Sequence, residues 1–350
     1  MYGYRTYHEE IMRTLINSVH SGSSSHAYIF EGEEGLNIFE SAKLFAMALT
    51  CQNPGSAPCA SCGSCIESRA NTNPDIIYVE KPSDRKTIGI APIRALTDDA
   101  AIKPFASPRK VYIIREGDLL TEAAQNALLK TLEEPPEYAV FIIITTNRDI
   151  LLQTVQSRSS LVHFPPVPNA VTEEYISEKY PEAENKEFLV KYCAGIPGRA
   201  DAVMENERFY AIRTESLEKL PQLMTKNKLY AFKIRKYLDS EKDNADMILD
   251  FWISYLRDIL VIQTVVFNPK TLSPTSPEAP AAPEAPAAPE ARDAFVINKD
   301  KTDELWTLAQ KLDPKITAAA LDELFKAKEM LRRYVSIKST ALHLALRINK

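Results

Sequence analysis

The sequence predicts an α/β protein with a doubly wound parallel sheet in its first half and helices after it. Over the first 165 residues, short β-rich runs alternate with segments of helical periodicity. Such alternation is typical of a parallel sheet with helices on both faces. One run, AVFIII at 139–144, is continuously apolar, which indicates a central strand buried on both faces.

Five runs are predicted strands: Ala27–Glu31, Ile76–Glu80, Val111–Ile114, Ala139–Thr145 and Leu161–Phe164. Three apolar-periodic segments between them are predicted helices: Ile38–Thr50, Ile90–Ile102 and Thr121–Glu134. The third helix is the best defined, because Thr121 can cap its start and Pro135-Pro136 ends it. Its predicted apolar stripe consists of Ala124, Ala127, Leu128 and Leu132.

The pattern predicts three domains: the sheet domain at 1–168, a small helical lid at 169–207 and a helical domain at 208–350. An insert at about 268–294 contains two PEAPAA units. Its closely spaced prolines exclude helix and sheet, so we expect a disordered, extended linker there. A proline-rich docking peptide is the alternative.

Composition excludes a strongly basic DNA-binding protein. The 350 residues carry a formal charge of -5, with a pI near 5.7. Any contact with nucleic acid must therefore be local, for example through the basic clusters at 226–236 and 332–350, which are otherwise solvated helix faces. Met1–Tyr7 lacks the features of a secretory signal, and the apolar stretch Ile248–Phe267 is interrupted by charges at helical spacing. We expect a cytoplasmic protein that does not engage a membrane.

Four of the five cysteines, Cys51, Cys59, Cys62 and Cys65, lie within fifteen residues. Two Cys-x2-Cys steps and one further thiolate can converge on a tetrahedral Zn²⁺, and four protein ligands leave no open position. The cluster therefore predicts a structural zinc module at 51–65. Redox chemistry and zinc-mediated nucleic-acid binding are the alternatives, although residues 55–66 carry no Lys or Arg. Cys193 stands apart and is interpreted as a buried small hydrophobe.

A phosphate-binding loop is expected after the first strand of a nucleotide-binding α/β domain, as GxxxxGK[ST]. Here Gly32 and Gly35 are in place, but Asn37 replaces the third glycine. Ile38 replaces the lysine and Phe39 the hydroxyl residue. Because an apolar side chain cannot neutralise a polyphosphate, we expect no functional ATP binding.

The acidic pair expected at the end of the VYII strand is also altered. The chain has Arg115 at the position that helps to hold magnesium, followed by Glu116. A positive charge there opposes magnesium binding. Remnants at both motifs favour a degenerate nucleotide site over a fold that never bound nucleotide.

Several motifs, taken in order, resemble the bacterial DNA polymerase III clamp-loader AAA+ family. They are SHAYIFEG, the four-cysteine insert, VYII, NALLKTLEEPP at 126–136, ITTN at 144–147, QSRSS at 156–160 and GIPGRA at 195–200. The resemblance covers about residues 1–205 and implies an AAA+ fold. Within that family the degraded loop favours a delta-prime-type subunit, whereas an ATP-hydrolysing gamma/tau-type motor subunit is the alternative.

The resemblance also assigns roles to three residues. Arg158, in a Ser-Arg-Ser version of the family's Ser-Arg-Cys motif, matches an arginine finger that acts on a neighbouring subunit's ATP. Asn147 and Arg199 match the sensor-1 and sensor-2 positions and would be remnants beside a dead site. A solvated helix-end arginine and a structural ion-pair partner are the alternatives for Arg158 and Arg199.

The function implied is that of an interaction subunit and not of an active ATPase in its own right. It would belong to the DNA polymerase III holoenzyme, organise a ring with gamma/tau and delta subunits, and help to load the sliding clamp onto primed DNA. A zinc-ribbon protein that binds nucleic acid alone is disfavoured by the acidic charge.

Overall fold

The computed structural model describes residues 3–183, 185–223, 228–266, 296–332 and 335–348. They fall into two compact units, one of Met1–Glu182 with Cys193–Asp201 and one of Ala183–Tyr192 with Ala202–Lys350. The insert predicted at about 268–294 lies outside the described residues, as do parts of the two basic clusters. The predicted domain boundaries at 168 and 207 stay a prediction.

The first unit contains one five-stranded sheet in which every pair of neighbouring strands is parallel. Its strands are β1 Ala27–Glu31, β2 Ile76–Val79, β3 Lys110–Ile114, β4 Ala139–Thr145 and β5 Ser160–His163. The spatial order is β2-β3-β4-β1-β5. The run AVFIII therefore forms the central strand, and six of the seven residues of β4 are buried. The predicted fold class is confirmed.

The helices in chain order are α1 Glu9–His20, α2 Ile38–Leu49, α3 Gly63–Arg69, α4 Ile90–Ala100, α5 Glu122–Glu133, α6 Gln153–Gln156, α7 Asn169–Lys179, α8 Lys186–Cys193, α9 Arg199–Glu205, α10 Phe209–Leu223, α11 Lys228–Ser240, α12 Ala245–Val261, α13 Thr302–Lys311, α14 Pro314–Arg332 and α15 Ile337–Arg347. Ile262–Val266 continues α12 as a π-helical turn. Among these described helices, none is long and apolar enough to cross a membrane.

Side chains of the sheet alternate between two cores, as the pleat of a β-strand requires. On one face, Tyr28 and Phe30 of β1 pack with residues of α1 and α2. On the other face, Ala27 and Ile29 pack with residues of α4 and α5. The sheet is thus covered by helices on both sides, which is the doubly wound arrangement.

Helix α5 begins and packs as its sequence predicts. The Thr121 hydroxyl accepts a hydrogen bond from the amide of Ala124, at 3.3 Å between Oγ1 and N. Leu128 and Leu132 are fully buried against the sheet. The cap fixes the first residue of the helix, and the stripe fixes which face contacts the core.

The second unit is helical throughout its described residues. Trp252 of α12 is fully buried, and its indole N–H donates to the carbonyl of Ser216 at 2.8 Å. The buried Arg213 donates to both carboxylate oxygens of Asp300, at 2.7 and 2.8 Å, and lies over the ring of Phe188. Because the bidentate pair neutralises the guanidinium and uses its two terminal nitrogens, the charge is tolerated inside the helical core, although Nε of Arg213 is buried without a hydrogen-bond partner among the described residues.

Candidate functional site

The loop after β1 lies where a phosphate-binding loop would lie, but an apolar side chain fills it. Ile38, the first residue of α2, is 5% exposed. A Cβ atom added to Gly32 would stand 2.7 Å from Cδ1 of Ile38 and 2.7 Å from the carbonyl oxygen of Phe164. Ile38 therefore packs into the interior beside Gly32 and presents no cation at the start of the helix.

Asn37 preserves the backbone turn of the loop although the glycine is lost. Its φ of 54° and ψ of 38° lie in the left-handed region, which asparagine enters more readily than most residues. The side-chain amide of Asn37 donates to the carbonyl of Arg5 at 3.3 Å. The loop thus turns through a left-handed residue before α2, and residues 32–39 contain no Lys or Arg.

Phe39 and Arg115, the two replacements at the hydroxyl and first acidic positions, contact each other. The guanidinium carbon of Arg115 lies 4.5 Å from the centroid of the Phe39 ring. Nζ of Lys43 lies 5.0 Å from the same centroid, and the Tyr78 ring packs edge-on at 5.7 Å. Arg115 also pairs with Glu80 at 3.1 Å. These side chains therefore form one aromatic and cationic cluster that contains both replaced motif positions.

The carboxylates of Glu116 and Asp118 accept hydrogen bonds from neighbouring segments of the chain. Oε2 of Glu116 accepts from the amide of Lys81 at 3.2 Å. The Asp118 carboxylate accepts from the Thr145 hydroxyl at 2.6 Å and from the amides of Thr146 and Asn147. These carboxylates act as structural acceptors that join β3 to the ends of β2 and β4.

Asn147, the predicted sensor-1 remnant, caps a short turn. Its Oδ1 accepts from the amide of Asp149 at 2.9 Å, at the start of the 3-10 helix Arg148–Ile150. Asparagine is a favoured capping residue because its side-chain oxygen satisfies an amide that the helix leaves free. The residue has this structural use whether or not a nucleotide lies nearby.

Arg199, the predicted sensor-2 remnant, lies next to the degenerate loop. The amide of Gly198 donates to the carbonyl of Gly35 at 3.0 Å, and a Cβ on Gly198 would stand 2.5 Å from Cα of Gly35. This close approach requires glycine on both loops. Nη2 of Arg199 lies 3.8 Å from Oε2 of Glu33, so its charge faces a carboxylate of the protein.

Arg158 lies between α6 and β5 with its side chain 34% exposed. Nη2 is 2.7 Å from Oε1 of Glu133, and Nη1 donates to the carbonyl of Thr154 at 2.9 Å. Nη1 also lies 3.3 Å from the Ser157 hydroxyl oxygen. The guanidinium is therefore partly accessible and is held against its own subunit.

The four clustered cysteines converge from the segment between α2 and α3, which carries Cys51, Cys59 and Cys62, and from α3, which carries Cys65. Their sulfur atoms all lie within 4.8 Å of one another. The Cys51–Cys62 and Cys59–Cys65 sulfurs are each 4.0 Å apart, near the roughly 3.8 Å that a tetrahedron with Zn–S bonds of about 2.3 Å requires. The cluster can hold a metal ion.

Polar neighbours favour the thiolate form of Cys59. The side-chain amide of Asn53 and the amide of Cys62 donate to Sγ of Cys59 at 3.5 and 3.3 Å. Led by the bond from Asn53, these contacts lower the pKa of Cys59 to about 5. Burial raises the pKa of Cys51 and of Cys65, so a bound cation would be needed to ionise all four thiols.

The sequence did not reveal which side chains contact Arg158, Phe39 and the cysteine cluster. It assigned no role to Glu133, which pairs with Arg158, or to Lys43, which lies over Phe39. It also overlooked Asn53, although its place between Cys51 and Cys59 was visible in the sequence. Glu133 and Lys43 carried no local signal, because helix surfaces commonly display both residue types.

Comparison with known proteins identifies a matching family and several relatives. Residues 7–168 match the family described as DNA polymerase III, delta subunit. The Bacillus subtilis DNA polymerase III subunit delta' is 30% identical over 257 residues, which cover 72% of this chain and 77% of that protein. The Escherichia coli delta' subunit is 30% identical over 204 residues, covering 57% and 60%.

The Bacillus subtilis subunit tau is also similar, at 30% identity over 280 residues. That match covers 73% of this chain and 49% of tau, so the chain spans about half of that relative's length. The similarity to delta' therefore extends over a larger part of the relative than the similarity to tau.

Proposed function

Since the chain belongs to the delta' family of DNA polymerase III clamp-loader subunits, we propose that it is the ATPase-inactive subunit of a bacterial clamp loader. In this proposal it organises a cytoplasmic AAA+ ring with gamma/tau and delta subunits. The ring loads the sliding clamp onto primed DNA during replication. The chain contributes to the DNA polymerase III holoenzyme without turning over ATP itself.

The packing of Arg115 on Phe39 is the observation that carries this proposal. Arg115 and Phe39 stand at the motif positions of the first acidic residue and of the hydroxyl residue, and the buried Ile38 stands at the motif position of the lysine. Binding Mg-ATP would require the protein to expel its own side chains and to accept a phosphate chain without the usual lysine. This packing supports inactivity.

Arg158 is proposed to act in trans, as an arginine finger. Its own subunit offers it no nucleotide, whereas a neighbour's γ-phosphate gains negative charge in the transition state. A guanidinium near that phosphate stabilises the charge through its planar donors. The accessible fraction of Arg158 and its location after α6 support this role.

The cysteine cluster is proposed to hold one structural Zn²⁺ through Cys51, Cys59, Cys62 and Cys65. The sulfur distances near 4.0 Å fit a tetrahedral site, and all four protein ligands are present. A bound ion would supply structural cross-linking of the loop to α2 and α3. The module contains no open coordination position for a substrate.

An ATP-hydrolysing gamma/tau-type role is less supported. It would require a cation at the position of Ile38 and an acidic residue at the position of Arg115. The residues at the two sensor positions do not support an ATP-hydrolysing role, because Arg199 faces Glu33 and Asn147 caps a turn.

The proposal is tested by reconstituting the complete clamp loader with Arg158→Ala in this subunit. Assembly should be preserved, while clamp-stimulated ATP turnover and clamp loading should fall. Arginine fingers contribute about 10³–10⁵ in rate at the site they serve. The complex should therefore lose nearly all of the ATP turnover of the one neighbouring site that Arg158 would serve. Arg158→Lys should rescue little, because an ammonium lacks the planar fork.

Arg13→Ala is the matched control, since Arg13 is an exposed arginine on α1 whose side chain is 71% accessible. It should assemble and turn over ATP as the unmodified complex does. An Arg158→Ala complex that assembled and loaded clamps at the unmodified rate would contradict the trans-acting role.

A further inference from the structure

Among the described residues, Arg158 forms its ion pair with the acidic side chain of Glu133. Oε1 of Glu133, the last residue of α5, lies 2.7 Å from Nη2 of Arg158. The other two partners of the guanidinium, the Thr154 carbonyl and the Ser157 hydroxyl, are neutral. Glu133 is therefore the charged group that fixes where the arginine points.

The backbones that carry the two side chains are locked together. Gln125 of α5 is 3% exposed, and its Oε1 accepts from the amide of Leu152, which precedes α6, at 2.6 Å. Its Nε2 donates to the carbonyls of Leu120 and Ile150. Since this buried amide joins α5 to the segment that precedes α6, we expect a change in the Arg158 position to come from side-chain rotation.

Both side chains have room to rotate, because Glu133 is 50% and Arg158 34% exposed. Two anions would then compete for one guanidinium: the Glu133 carboxylate and the γ-phosphate of a neighbour's ATP. An exposed ion pair favours its paired state by a factor of about two to five, and salt screens it. A triphosphate carries more charge and more acceptor oxygens, so it wins when it is present.

We propose that Glu133 is a positioning residue that retains Arg158 on its own subunit until a neighbouring ATP displaces the carboxylate. This inference rests on the proposed trans-acting role of Arg158. It adds a restraint: Arg158 stays paired with Glu133 while the neighbouring site is empty. When ATP binds there, part of its interaction free energy with Arg158 offsets the loss of that ion pair. Weakening the restraint should make the finger more available.

The test uses the complete clamp loader with four versions of this subunit: unmodified, Glu133→Gln, Arg158→Ala and the double variant. The measured quantity is kcat/KM for ATP, and the Arg158-dependent part is the difference between a complex and its Arg158→Ala counterpart. Glu133→Gln keeps the shape of the side chain and removes its charge. It should raise the Arg158-dependent part about two- to fivefold, and the gain should shrink as ionic strength rises.

Glu134→Gln is the matched control, because Glu134 is the adjacent exposed glutamate and follows the end of α5. It should leave kcat/KM unchanged. In the Arg158→Ala background, Glu133→Gln should also have no effect, since a merely structural change at the end of α5 would persist there whereas a restraint on Arg158 would not.

The possible results distinguish failure of the trans-acting role of Arg158 from failure of the restraint by Glu133. If Arg158→Ala alone leaves turnover unchanged, the trans-acting role fails and takes this inference with it. If Arg158→Ala lowers turnover but Glu133→Gln leaves the Arg158-dependent part unchanged or reduces it, only the restraint is overturned. An equal gain from Glu133→Gln with and without Arg158 would likewise overturn it.

Discussion

The guanidinium carbon of Arg115 lies 4.5 Å from the centroid of the Phe39 ring. The sequence presents these residues as two separate losses, one in each half of a nucleotide site. In the folded protein they form one contact, because the first turn of α2 and the residue that follows β3 face each other. A cation–π contact at an exposed site contributes about 0.5–1 kcal/mol. The replacements therefore compensate each other, and reversing one alone leaves the other without its partner.

Ile38→Lys alone should restore neither ATP binding nor hydrolysis. Arg115 would remain over Phe39, and the new ammonium would start in the buried position that Ile38 occupies. Burial of an unpaired charge is unfavourable, so we expect a loss of a few kcal/mol in the free energy of unfolding. Denaturant unfolding of the variant beside Ile38→Leu checks this, and hydrolysis by the lysine variant would contradict the expectation.

The purified chain should contain one zinc ion whose removal disorders the cysteine module. A structural zinc contributes on the order of 10 kcal/mol to the folding of a small module, so Cys62→Ala should lose the metal and unfold the 51–65 segment. The sheet should survive, because its two cores are built largely from other residues. Elemental analysis and limited proteolysis provide the measurement.

Cys193→Ala is the control for the zinc prediction, since Cys193 is a buried free cysteine outside the cluster. That variant should retain a full equivalent of zinc. Protein prepared under reducing, metal-replete conditions that nevertheless contained no zinc would refute the assignment.

His8 should make the first unit less stable as the pH falls below about 6.5. Burial lowers the pKa of His8, although its Nε2 contacts the carbonyl oxygen of Pro165 at 2.7 Å. A histidine with a lowered folded pKa binds fewer protons when folded than when unfolded. Its stabilising contribution is therefore complete above the unfolded pKa of about 6.5 and is lost as the pH falls through the folded pKa.

The His8 contribution is measured as the difference in unfolding temperature between the protein and His8→Gln. A glutamine amide can still donate to the Pro165 carbonyl and does not titrate. The stability advantage of the histidine protein over the variant should shrink between pH 7.5 and pH 5.5. A difference that stayed constant over this range would show that His8 titrates alike in both states.

The sequence predicted the parts of the fold that depend on local patterns. β4 followed from the uninterrupted apolar run, and α5 followed from its cap and stripe. Four strand ends differ from the prediction by one residue: β2 ends at Val79, β3 begins at Lys110, and β5 begins at Ser160 and ends at His163. Hydrogen bonding to neighbouring strands fixes such ends, and the local sequence does not encode it. The assignment of residues 183–192 to the second unit has no local signal, since helical periodicity does not say which core a helix joins.

The candidate site was predictable as a set of motif positions and not as a set of contacts. Spacing alone brought the four cysteines together, because Cys-x2-Cys steps restrict where the sulfurs can go. The Glu133–Arg158 pair and the Arg115–Phe39 contact join different elements through tertiary packing. Neither contact has a sequence separation that a periodicity or a motif encodes.

We propose that this chain's own side chains close its degenerate nucleotide site. Isothermal titration calorimetry of the isolated chain with Mg-ATP tests it most directly, with an intact motor subunit titrated under the same conditions to show that binding would be detected. We expect no binding heat for this chain up to millimolar ATP, because Ile38 supplies no cation and Arg115 and Phe39 stand at the motif positions of the first acidic residue and of the hydroxyl residue. Saturable binding of Mg-ATP with a micromolar Kd would contradict the account.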